Sequence, residues 1–96
     1  MKPDTIQRDQ LNKLTDLPNV GARIAAVLGE IGIDRPGDLV GRDGFELYQT
    51  LCETAGQRFD PCVLDTFIAI TRFMDGDPAQ PWWNYTAERK KRYPNV

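Results

Sequence analysis

The sequence predicts a compact all-α bundle of about five helices ending in an aromatic and basic C-terminal tail. Three observations carry this. No Asn-Gly hairpin turn occurs, and no clean apolar–polar alternation runs for five residues, so strand signals are missing. Apolar residues recur at helical spacing: Val20, Ile24, Val27, Leu28 and Ile31 share one helical face. Helix punctuation is regular, with Asp and Pro before the apolar runs and Gly after them.

The first helix is expected over about Thr5–Leu14, on the sparse pattern Ile6, Leu11 and Leu14. Pro18 stops it, because the residue before proline avoids the α region. Leu17 to Gly21 then makes a tight turn, with Asn19 and Gly21 able to take left-handed conformations. A second helix follows over about Ala22–Ile31, with Gly32 closing it. Pro36 suits the first position of a short helical turn ending near Leu39-Val40. Asp43 opens the next helix, with Glu46 three residues on as in a capping box. Leu47, Tyr48, Leu51, Cys52 and Ala55 form its expected buried face, and Gly56 ends it. Asp60-Pro61 opens the last long helix. Val63, Leu64, Phe67, Ile68, Ile70, Thr71 and Met74 line its apolar face, and Asp65 and Arg72 are expected on the opposite side. Pro81 to Tyr85 reads as extended, and Thr86 as the cap of a short helix running to Arg92. The expected division is a helical domain over 1–80 and a Trp-rich basic tail over 81–96, packed on the domain or on a partner.

The chain has 96 residues, 41% hydrophobic and 27% charged, an ordinary globular composition that supports one core. No run approaches the ~20 apolar residues of a membrane span, and the polar N-terminus does not read as a signal peptide. With only two cysteines and no export signal, the expected compartment is the cytoplasm, with reduced thiols. Net charge is −2 and the pI about 5.0. Domains that bind nucleic acid through bulk charge usually lie above about pI 9. The mean hides an asymmetry. Residues 1–80 carry eight Lys/Arg and thirteen Asp/Glu, a net −5; residues 81–96 carry four Lys/Arg and one Glu, a net +3.

Histidine is absent, which removes the commonest general base and the commonest metal ligand together. There is no Walker A loop, Ser-centred elbow or zinc signature, so neither a cofactor nor a catalytic set is expected. Cys62 follows Asp60-Pro61 at a helix start, where a thiolate is favoured. Against that, Asp60 and Asp65 surround it with negative charge. Two cysteines make a poor metal site, and the expected role of Cys52 and Cys62 is structural.

Residues 14–33, LTDLPNVGARIAAVLGEIGI, resemble the helix-hairpin-helix (SAM-like) motif: helix, turn of hydrophobic-Pro-X-hydrophobic-Gly, helix starting with small residues. That resemblance implies non-sequence-specific contact with the DNA sugar-phosphate backbone. The physics fits. A helix N-terminus leaves backbone N–H groups unpaired and carries about half a positive charge. Gly21 lets a phosphate approach, Ala22 follows it, and Arg23 adds a charge-assisted contact. Asn19 and Val20 shape the turn. The motif more often has Gly where Asn19 stands, and the Asn side chain would either obstruct a phosphate or bond to it. The same hairpin also suits pure packing or protein contact.

Segments 32–51, 51–73 (with DPCVLD) and 81–92 (PWWNYTAERKKR) extend the likeness. Over about residues 14–92 the chain resembles the "pathogenicity locus" family of small bacterial proteins, some carried under the label mitomycin resistance protein. This implies a helix-hairpin-helix fold and a nucleic-acid role, without a defined activity.

In the tail, Trp82 and Trp83 adjoin Arg89, Lys90, Lys91 and Arg92. Aromatic faces stack on bases and cations track phosphates, so these four basic residues join Asn19, Val20, Gly21, Ala22 and Arg23 as candidate nucleic-acid contacts. Adjacent tryptophans also bury well, so at least one is expected to dock on the bundle or on a second chain. The predicted function is weak, non-specific DNA binding. The alternative is a dimerisation or protein-interaction module using the Trp82/Trp83 tail. No membrane partner is expected.

Overall fold

A computed structural model describes residues 11–96, and these form four α-helices and three short 3-10 helices, with no strand among them. The α-helices are α1 (Ala22–Glu30), α2 (Gly44–Ala55), α3 (Pro61–Met74) and α4 (Thr86–Arg92); the 3-10 helices span Leu14–Asp16, Pro36–Leu39 and Trp82–Tyr85. The all-α class is thus as the sequence predicts. No helix among the described residues is long and apolar enough to cross a membrane.

Much of the expected first helix lies outside the described residues. Its end differs from expectation: residues 11–13 are not helical, and Leu14–Asp16 is a single 3-10 turn. Asp16 explains the tight start. Its Oδ2 accepts from the N–H groups of Asn12 and Lys13, at 3.1 and 3.0 Å. These bonds hold its carboxyl below the usual range, the Lys13 amide most strongly. Asp38 repeats the device in the second 3-10 helix, accepting from Asp34 and Arg35. Pro36 occupies the first turn there, as expected.

Caps set the longer helices. Asp43 accepts from the Glu46 N–H at 3.1 Å, and Asp60 from the Cys62 N–H at 2.8 Å. Gly56 ends α2 in a left-handed conformation, φ 68°, where a Cβ would be strained. Two details depart from expectation. Ala55 is exposed on the last turn of α2, and α1 ends one residue early, at Glu30.

Helix α3 is the axis. Ten of its fourteen residues are buried, on every side, so it has no solvent face in the usual sense. Leu28, Ile33, Leu39, Leu47, Leu51 and the apolar residues of α3 make one core. Helix α2 begins where it crosses α3. A Cβ on Gly44 would lie 2.8 Å from the Ile68 backbone nitrogen and 3.0 Å from its Cα. Only glycine allows that approach. The remaining side of α3 is covered by residues 82–93. The 3-10 helix Trp82–Tyr85 replaces the expected extended segment, and Tyr85 enters the core. Further on, Tyr93 stacks on Phe45 with ring centroids 4.2 Å apart.

Gly44→Ala puts a methyl group into rigid backbone. It is expected to destabilise the fold by about 2–3 kcal/mol, lowering the melting temperature by roughly 10–20 °C. A melt within a few degrees of the parent would contradict the packing described.

Candidate nucleic-acid interface

The turn Leu17–Gly21 is built from buried anchors and an exposed rim. Leu17 and Val20 are buried, so Val20 serves the core and offers only its backbone to the turn. Gly21, Ala22 and Arg23 are exposed. Gly21 is the N-cap of α1 in extended conformation, and no side chain caps the helix. The first intrahelical bond joins the Ala25 N–H to the Gly21 carbonyl at 3.0 Å. The amides of Ala22, Arg23 and Ile24 therefore have no acceptor among the described residues. A Cβ on Gly21 would meet nothing within 4 Å, so open space lies in front of them. Arg23 makes no ion pair among the described residues.

Asn19 has a different employment. It takes φ 70°, the left-handed conformation its position demands. Its amide then faces the tail. Nδ2 donates to the Gln80 carbonyl at 2.7 Å, and Oδ1 accepts from the Trp82 N–H at 3.1 Å. One side chain thus satisfies both polarities of the backbone entering the tail. This accounts for Asn at a turn position where the resembling motif commonly has Gly: glycine would keep the conformation and lose the clamp.

The basic cluster divides. Arg89 turns inward, its side chain only 11% exposed, and pairs with the fully buried Asp65 at 2.9 Å. Thr86 Oγ1 donates to the same carboxylate at 2.7 Å. Asp65 thus holds the tail on α3; it does not lie on a solvent side as its helical position suggested. Thr86 is the first residue of α4 and anchors it through Asp65 instead of capping it. Arg89 is accordingly a structural cation, withdrawn from any outer contact. Its charge is held more firmly by the Asp65 carboxylate. Arg72, also expected on the outer side, pairs with Glu88, which receives Arg92 as well. These bonds, led by that from Arg72, hold the Glu88 carboxyl below its ordinary value. Lys90 and Lys91 are exposed and make no ion pair among the described residues.

The tryptophans part company too. Trp82 packs against the core, while Trp83 stays 61% exposed, its ring edge-on to Trp82. Cys52 and Cys62 are free thiols, each half-buried. Burial first, and the Asp60 carboxylate second, push the Cys62 thiol up, so it is not a poised thiolate. No group of three or more metal-ligating side chains occurs among the described residues.

These features define a small all-helical protein whose Leu17–Gly21 turn exposes a helix N-terminus and whose aromatic tail is clamped to that turn. The family model described as Pathogenicity locus matches residues 7–91, and the chain belongs to that family. A mitomycin resistance protein, McrB of Streptomyces lavendulae, is 46% identical over 78 residues, covering 81% of this chain and 74% of that protein. No solved structure matches.

Asn19→Gly keeps the backbone and removes the clamp. Losing two hydrogen bonds should cost about 1–2 kcal/mol, and tryptophan emission should shift to the red as Trp82 loosens. Unchanged stability and emission would show that the clamp does not hold the tail.

Proposed function

We propose that this chain is a helix-hairpin-helix protein that contacts the DNA backbone without reading sequence, acting as a binding protein and not as an enzyme. The observation that carries this is the start of α1: Gly21, Ala22 and Arg23 exposed, three amides without an acceptor among the described residues, and open space before them. An anionic oxygen suits such a place, since the N–H groups and the helix dipole both favour negative charge. The unpaired guanidinium of Arg23 adds a charge-assisted donor. Lys90 and Lys91 are the exposed tail cations left to supply longer-range attraction. The acidic body limits affinity, so binding is weak and salt-sensitive. Two free thiols suit a reducing compartment, and the cytoplasm is the proposed site of action.

Fluorescence anisotropy with a labelled duplex across a salt series tests the reading. Log affinity should fall linearly with log salt, by about 0.9 per phosphate neutralised. Arg23→Ala should reduce that slope by about one, and Lys90→Ala with Lys91→Ala should reduce it further without unfolding the chain. Absence of binding at about 100 µM protein in low salt, beyond the weak end of non-specific association, would overturn the proposal.

A further inference from the structure

Beside the hairpin lies a groove of about 390 Å³, bounded by α1, the start of α3 and the tail. This falls within the roughly 300–1,000 Å³ range of small-molecule sites. Trp82 and Phe59 contribute aromatic wall, Val27 apolar wall, and Arg23 and Asp60 charge at its edge. Most of its polar groups are already engaged. Asn19 is bonded to the tail backbone, the Thr66 hydroxyl donates to the Cys62 carbonyl, and Asp60 caps α3. What remains is an aromatic cleft with one cation that has no carboxylate partner among the described residues. That combination fits a planar, uncharged ring attached to an anion.

From this we infer that the groove receives an unpaired nucleobase, and that the protein prefers single-stranded DNA to duplex. The inference rests on the phosphate reading given above. Arg23 and Asn19 belong to both features: they border the groove, Arg23 bears one of the exposed amides of α1, and Asn19 lies in the turn that precedes them. A phosphate held at those amides places its own or the next base at the groove mouth. In a duplex that base is paired and stacked and cannot enter without being unstacked. In a single strand it is free to lie on an aromatic side chain, and every base has a face that can do so. The clamp from Asn19 to the Trp82 backbone then has a second consequence, since it holds the stacking residue beside the phosphate site.

The test compares oligothymidylate, mixed-sequence single strands and duplex of equal length by anisotropy at low salt. The expected result is single-strand affinity about tenfold above duplex, the scale of one stacked base. Trp82→Leu should remove most of that preference and leave duplex affinity unchanged. Because Trp82 also packs against the core, a second variant guards against misfolding. In Cys52→Ser protein, alkylation of Cys62 with N-ethylmaleimide at mildly alkaline pH obstructs the groove from the α3 side without substituting any residue of α1; it should abolish the preference in the same way. Equal affinity for the two forms, or equal loss on both in the blocked protein, overturns the groove assignment while the backbone reading stands. Failure to bind either form overturns both.

Discussion

The carboxylate of Asp65 sits fully buried in the middle of α3, and a charge in that place must be met. An unpaired buried carboxylate costs several kcal/mol. Arg89 and Thr86 meet it, and both come from the last sixteen residues. So the placement of one acid decides the placement of the tail. With α4 drawn onto α3, Glu88 reaches Arg72, Tyr85 fills the core, and Tyr93 stacks on Phe45. The tail is therefore a wall of the domain. Two of its four cations are spent inside the molecule: Arg89 on the Asp65 carboxylate of the body, and Arg92 on the tail's own Glu88, which also takes Arg72 of α3.

This changes the meaning of the charge asymmetry. The +3 tail looks like an arm for a polyanion, yet only Lys90 and Lys91 face outward without an ion pair among the described residues. The donors proposed to face an anion lie at the exposed start of α1, and these are backbone amides that no charge count registers. On the proposed reading, such a surface would hold phosphate through geometry more than through bulk charge. It also matches a chain with net charge −2, for which tight binding by bulk attraction is excluded.

The helices themselves were legible because their signals are local. Asp43 and Asp60 cap the helices they were expected to open, Gly56 takes the left-handed conformation, and the apolar spacing of α1 faces the core. What was not legible depends on partners far along the chain. Asp65 reads as a solvent-facing acid on any helical wheel, and only the tail folding back makes it interior. A signal was present: apolar residues occupy both sides of residues 63–73, too continuous for a helix with one wet face. The sequence sets the Asn19 side chain against a phosphate, as obstacle or partner, while in the structure it answers to Gln80 and Trp82, more than sixty residues away. Gly44 passes as an ordinary helix start until Ile68 is brought against it. The end of the first expected helix failed because Asp16 draws the chain into a 3-10 turn. Of the candidate site, the stretch from Gly21 to Arg23 is presented outward, Val20 is core, and Arg89 is structural.

A double-mutant cycle on Asp65 and Arg89, read by chemical denaturation, tests most directly whether this buried pair roots the tail. Asp65→Asn or Arg89→Met alone should each cost about 3–5 kcal/mol, because each strands its partner in the interior. Asp65→Leu combined with Arg89→Met should cost far less than the two single changes together. Small, additive losses of under about 1 kcal/mol each, the behaviour of an exposed pair, would contradict the account.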